Sequence, residues 1–196
     1  MEKGYIKFNY VLHRSKISYS KTADINRLRD KLYKIGLIGA YDNGIGFGNL
    51  SIRDGSGFII TGSTTGNKEK LAAKDYVKVI GYDLEKNKLI CKGQINPSSE
   101  SLTHAAIYSS DKDANAVIHI HNDRIWKKFY RILPKTGKNA AYGTVKIAKS
   151  VIGLFKKNKL KGKKVILMTD HKPGLISFGK SLNEAAKNLI ELLKKS

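Results

Sequence analysis

The sequence predicts an α/β fold in which a largely antiparallel sheet is flanked by helices. Two observations predict it. Four short strand-like runs succeed one another with only turn signals between them, and strands so close in sequence pair antiparallel. Around them stand segments whose apolar residues recur at helical spacing. The first covers residues 22 to 35, where Ile25, Leu28, Leu32 and Ile35 share a face, Asp24 is available as a cap and Gly36 lies just past the end. The strand runs are NLSIR from Asn49, GFIIT from Gly57, VKVIGYD from Val77 and KLICKG from Lys88, with Asp54-Gly55-Ser56-Gly57 as one of the turns. A second helix opens at Pro97-Ser98-Ser99-Glu100, with Ser98 or Ser99 as cap. It carries Leu102, Ala105 and Ala106 on one face and stops near Ser109-Ser110-Asp111. AVIHIH, from Ala116 to His121, reads as a β-branched strand.

The stretch from Thr144 to Phe155 gathers Ile147, Ala148, Val151, Leu154 and Phe155 on one side of a third helix, and the Lys-rich run from Lys156 to Lys164 reads as solvated surface. Two further strands, VILM from Val165 and GLISF from Gly174, lead to a last helix with the capping box Ser181-Leu182-Asn183-Glu184. Its apolar face is Leu182, Ala185, Ala186, Leu189, Ile190 and Leu193. No repeat and no Pro-rich or Gly/Ser-rich linker interrupts the chain, so residues 1–196 are expected to form a single domain.

Composition narrows the class of function. With 41% hydrophobic residues and three prolines among 196 residues, the chain is a folded globular one, not a disordered one. A single cysteine, Cys91, excludes an intramolecular disulfide and suits the reducing cytosol. No segment approaches the ~18 consecutive apolar residues of a membrane helix, and charges break the N-terminus where a signal peptide is apolar. The expectation is a cytoplasmic protein without a membrane partner. Lys plus Arg number 37 against 16 Asp plus Glu, a formal charge of +21. That charge fits a nucleic acid, a small anionic substrate or a compositional bias toward Lys. Only Arg14, Arg27, Arg29, Arg53, Arg124 and Arg131 are arginines, whereas base and phosphate recognition leans on the Arg fork. The excess of Lys, spread over the whole chain, therefore argues against nucleic acid. Lys127, Lys128 and Arg131, just after AVIHIH, are placed to draw an anionic substrate inward.

Successive strand side chains alternate faces, so His119 and His121 project from the same side of their strand. That geometry suits two ligands of one metal, and equally two polar residues on a solvated sheet face. Three other histidines could supply a third ligand: His13 near the N-terminus, His104 on the second helix and His171 in the loop TDHKPG. Glu100, in the first turn of its helix, is either a helix-start carboxylate or a general acid/base. Ser98 and Ser99 beside it, GIGFGNLS around Asn49 and TGSTTG from Thr61 to Gly66 are loops able to hold an anion, or ordinary turns. Gly44, Gly46 and Gly48 do not make a dinucleotide fingerprint, because a helix precedes them and a strand follows.

Taken in order, GFGNLS, ITGSTTG, PSSE opening a helix, DANAVIHIH, AYGT and a His-containing loop before GLISFGKSLNEA resemble the class II aldolase/adducin family from about Asp24 to the C-terminus. The resemblance implies a three-layer α/β/α sandwich around a central, mainly antiparallel sheet. It implies His119, His121 and His171 as ligands of Zn2+ or another divalent metal, and Glu100 as the proton-transferring carboxylate. It implies Asn49, Thr65, Gly66, Ser98 and Ser99 as the phosphate-binding set, with His104 structural. The implied activity is an aldolase-type lyase acting on a small, phosphorylated, sugar-like substrate through an enediolate, in a homo-oligomer that is a tetramer in the family. Epimerisation, dehydration and decarboxylation use the same chemistry, and an adducin-like binding module keeps the fold without it. Between His121 and AYGT the chain is shorter than in the sugar-phosphate aldolases, and HKPG stands where those have His directly followed by Gly.

Overall fold

The structure is a computed structural model that describes residues 6–196; the first five residues of the expected domain lie outside the described residues. Ten strands and five α-helices are present among them. In chain order they are β1 (Asn9–Arg14), α1 (Ala23–Lys34), β2 (Gly39–Ala40), β3 (Gly46–Phe47), β4 (Asn49–Asp54), β5 (Gly57–Thr61), β6 (Tyr76–Asp83) and β7 (Lys88–Gly93). There follow α2 (Ser101–Ser110), β8 (Ala116–His121), α3 (Asp123–Phe129), α4 (Val145–Lys156), β9 (Val165–Leu167), β10 (Gly174–Gly179) and α5 (Leu182–Lys194).

Eight strands form one sheet in the order β1-β7-β6-β5-β4-β8-β10-β9, and β2 with β3 makes a separate hairpin. The central sheet is antiparallel throughout except at one edge, where β1 runs parallel to β7 with Asn9 opposite Lys88 and Arg14 opposite Gly93. Side-chain alternation sorts the strands' apolar residues into two cores. Phe58, Ile60, Val117 and Ile176 meet Leu102 and Ala106 of α2 and Ile147 and Val151 of α4 on one face. Ile59, Ile118, Ile120 and Leu175 meet Ile25 and Leu32 of α1, Trp126 of α3 and Ala185 and Leu189 of α5 on the other. The three-layer α/β/α arrangement with a mainly antiparallel sheet is thus the one expected. Because Val117, His119 and His121 share a parity, both histidines face the α2 layer.

Several local expectations are corrected. Helix α1 has Thr22, not Asp24, at its N-cap position, and no side chain caps it. Ile35 falls one residue past the helix and is 51% exposed, while Arg29 is buried. Neither Ser98 nor Ser99 caps α2; Glu100 occupies the cap position, and the Ser98 hydroxyl instead accepts the Glu100 N–H at 3.3 Å. Helix α2 does not bury one face only, since every residue from Ser101 to Tyr108 is buried between the sheet and α4. In α5 the capping box closes on one side: Ser181 accepts the Glu184 N–H, but the Glu184 carboxylate accepts from Lys180 N–H. Strand β1, the β2–β3 hairpin and α3 have no counterpart among the sequence expectations. Helix α3 starts immediately after the histidine strand, with Asn122 Oδ1 accepting the Ile125 N–H as its cap.

Candidate functional site

The C-terminal end of β8 delivers His119 and His121 to a cleft of about 690 Å³, and the loop between β9 and β10 delivers His171 from the opposite side. His121 Nε2 lies 3.0 Å from His119 Nε2 and 3.2 Å from His171 Nε2. Two imidazole nitrogens bound to one tetrahedral Zn2+ at roughly 2.05 Å stand ~3.3 Å apart, so the spacing fits a shared ion. The protonation states fit as well. His119 Nδ1 is 3.0 Å from the Leu175 carbonyl, which can only accept; the hydrogen is therefore on Nδ1, and Nε2 turns a lone pair to the cluster. His121 Nδ1 meets the Tyr41 hydroxyl. Burial first, and then the neighbouring histidines, hold His119 and His121 well below the usual imidazole range. Burial, with Lys7 adding to it, pushes His171 down to about 4. Three imidazoles held neutral by burial converge, and the neutral imidazole is the form that ligates a cation. The cluster His119, His121 and His171 is thus a donor set able to hold a metal.

Glu100 reaches this cluster from the start of α2. Its Oε2 accepts the Thr103 hydroxyl at 2.7 Å, whereas its Oε1 has no hydrogen-bond partner among the described residues and lies 3.4 Å from His171 Nε2. Burial pushes the carboxyl up to about 7, against the downward pull of the Thr103 hydrogen bond. A carboxyl poised there can take up or release a proton near neutrality.

The remaining candidates line the same cleft. Asn49 opens β4 opposite His119 in the ladder, and its buried Oδ1 has no hydrogen-bond partner among the described residues. Ser98, Ser99, Thr65 and Gly66 complete that wall. The Thr65 hydroxyl donates to the Gly62 carbonyl at 2.8 Å, so its hydrogen is already engaged inside the loop. Gly66 is needed because a Cβ there would stand 2.6 Å from the Phe47 backbone nitrogen. His104 stays out of the cluster: it is fully buried, with Nδ1 2.7 Å from the Ser51 hydroxyl. His13 lies on β1 and is exposed. Lys127, Lys128 and Arg131, expected to draw an anionic substrate inward, form no part of the cleft wall. Helix α3 and the turn after it leave all three exposed, and none lines the cleft, where Lys172 is the one cation among the described lining residues.

Sequence reasoning missed four contributors. Phe47 stacks on His121 at 5.4 Å between centroids, Tyr41 packs on Phe47 at 4.8 Å, and Tyr142 lies 4.6 Å from His171. Arg29, fully buried, donates to the carbonyls of Thr65, Gly66 and Glu69 and so pins the loop that carries Thr65. Tyr142 belongs to the AYGT motif and Phe47 to GFGNLS, so an aromatic residue among small ones was the available signal. Arg29 gave none, since a charged residue one step off an apolar stripe reads as surface.

The family model for the class II aldolase and adducin N-terminal domain matches residues 40–195. No curated protein sequence matches the chain. Among solved structures, an L-fuculose 1-phosphate aldolase superposes with a TM-score of 0.68 at 21% identity, covering 92% of this chain and 86% of that one. An L-fuculose-1-phosphate aldolase from Thermus thermophilus gives 0.65 at 23% identity, covering 88% of each chain. A sugar-phosphate aldolase from Thermotoga maritima gives 0.63 at 19% identity, covering 89% of this chain and 91% of that one. No helix among the described residues is long and apolar enough to cross a membrane.

Proposed function

Because the chain belongs to the class II aldolase and adducin family, we propose that it is a divalent-metal-dependent lyase of the aldolase type, acting on a small phosphorylated, sugar-like substrate. The observation that carries this reading is the meeting of three neutral imidazole nitrogens and a half-satisfied buried carboxylate in one cleft. His119, His121 and His171 would hold the ion, with zinc the metal best suited to three nitrogen donors and an open position. When bound, such an ion supplies Lewis-acid polarisation of a carbonyl and its neighbouring hydroxyl.

This chain's residues do the rest. In cleavage, Glu100 Oε1, facing His171 from the buried side, takes the proton of the hydroxyl whose carbon–carbon bond breaks and returns it to the carbon beside the carbonyl on the other fragment. Asn49, Ser98 and Ser99 offer neutral donors to a phosphate, and the Thr65-Gly66 loop offers backbone amides because the Thr65 hydroxyl is spent on Gly62. Phe47, Tyr41 and Tyr142 wall the cluster and exclude water from two sides. An adducin-like binding module would have no use for a converged ligand set beside a buried carboxyl, which is why the enzyme reading is preferred. Epimerisation, dehydration and decarboxylation need the same groups and differ only in the substrate. We infer a cytoplasmic homo-oligomer, a tetramer by family resemblance.

Metal analysis combined with a panel of sugar phosphates tests the proposal. One divalent ion per chain is expected, lost on joint replacement His119→Ala and His121→Ala. Glu100→Gln should keep the metal and lose about 10²- to 10⁴-fold in turnover. A preparation with no stoichiometric metal, or unchanged metal content in the double variant, would overturn it.

A further inference from the structure

We propose that Tyr41 is a positioning residue for His121, holding the ring by its Nδ1 so that Nε2 is turned to ligate a divalent cation. The inference rests on the metal reading above and extends it to the β2–β3 hairpin. A ligating imidazole needs its second nitrogen tied, because the partner there fixes both tautomer and ring orientation. For His119 that partner is the Leu175 carbonyl, which permits only one tautomer. For His121 it is the Tyr41 hydroxyl, which can donate or accept. Tyr41 therefore orients one ligand by side chain as the sheet orients the other by backbone.

The hairpin is built to hold that hydroxyl in place. Gly39 pairs with Phe47 and Ala40 with Gly46, and the turn is closed by Tyr41 N–H to the Ile45 carbonyl at 3.0 Å and Gly44 N–H to the Tyr41 carbonyl at 2.8 Å. The hairpin is pressed against the Thr65-Gly66 loop so closely that a Cβ on Gly46 would stand 2.8 Å from Asn67 N. On the other side Phe47 lies nearly parallel to the His121 ring, at an interplanar angle of 25°, so the imidazole cannot turn away from Tyr41 without losing that stack. With Nε2 unprotonated, Nδ1–H donates to the phenol oxygen, which leaves the phenol's own hydrogen unspent on a side chain that lines the cleft. The same side chain thereby becomes a donor available to a substrate oxygen.

The test is a Zn2+ titration of the metal-free protein against a competing chelator, for wild type and Tyr41→Phe. The phenylalanine keeps the ring that packs on Phe47, so a packing role alone leaves the affinity unchanged. Loss of the hydroxyl should weaken Zn2+ binding by about 10- to 100-fold, the usual effect of removing a ligand's hydrogen-bond partner. A second readout is independent of hairpin stability. In the zinc-loaded wild type the His121 Nδ1–H should exchange slowly with water, and in Tyr41→Phe it should exchange fast. Affinity within twofold of wild type, or equal protection of that proton, overturns the assignment. Failure of the wild type itself to bind Zn2+ would overturn the metal reading and this inference together, whereas tight binding by both proteins removes only the role of Tyr41.

Discussion

Gly174→Ala should cripple metal binding without removing any ligand. Gly174 opens β10 and stands opposite His121 in the ladder. A methyl group there would lie 2.5 Å from the His171 carbonyl oxygen, 3.0 Å from His119 Cε1 and 3.2 Å from His171 Cδ2. Ordinary contact begins at 3.4 Å, so the worst overlap is about 0.9 Å, and backbone makes it. Gly174 N–H also donates to that same carbonyl at 2.6 Å, which leaves the turn no slack. Overpacking of this kind costs ~1–3 kcal/mol. The strain is relieved by swinging His171 away from the other two imidazoles, so the cost falls on the converged arrangement. At about 1.4 kcal/mol per tenfold, Zn2+ affinity should drop roughly 5- to 150-fold. Chelator-competition titration measures it, with the melting temperature of the metal-free protein recorded alongside. Wild-type affinity in Gly174→Ala would refute the claim that this glycine sets the spacing of the cluster.

Three further outcomes are expected. Gly153→Ala, inside α4 with nothing within 4 Å of the added carbon, should stabilise the protein by ~0.5–1 kcal/mol in thermal unfolding, since only backbone entropy changes. Arg29→Met removes donors to three buried-side carbonyls and should cost about 3 kcal/mol, read as a fall in melting temperature of ~6–12 °C. His104 is buried and its pKa is pushed down to about 3, so above pH 6.5 it is neutral in both states and neutral for stability. As pH falls from 6.5 toward 3 the unfolded chain gains a proton that the folded one refuses, and stability drops by ~1.4 kcal/mol per unit. In metal-free protein, His104→Asn, which keeps a partner for Ser51, should be shallower by that slope across chemical-denaturation curves at pH 6, 5 and 4.

Where local pattern and tertiary placement agree, the sequence is readable. The two-residue period of AVIHIH, the spacing of Ile147, Ala148, Val151 and Leu154, and the stripe of α5 each describe an element whose buried face is set by its own residues. Strand β1 is different: its pairing with β7 is parallel and joins residues about eighty apart, and no turn chemistry announces such a bond. Helix α2 misleads because its Ser, Thr and His residues look like an outer face. In the fold Thr103 serves Glu100 and His104 Nδ1 meets Ser51, so these polar side chains are buried with partners, while the exposed Ser109 and half-buried Ser110 return their hydroxyls to the Ala105 and Ala106 carbonyls. Of the site, the two strand histidines were legible from spacing and His171 only through family resemblance, because the distance from β8 to the β9–β10 loop exists only in the folded sheet.

The +21 charge is not concentrated in the lining of the cleft. Among the described residues lining the cleft the one lysine is Lys172, 4.7 Å over the Trp126 ring, with Lys7 set 4.5 Å over the Tyr142 ring, while the wall proposed to meet an anion is Asn, Ser, Thr and Gly. Lys127, Lys128 and Arg131 are exposed and do not line it. On the proposed function an anionic group there would be held by oriented neutral dipoles, which fix its position without the strong attraction of a buried cation pair. The three histidines would then bring positive charge to the site through the ion they are proposed to hold beside Glu100.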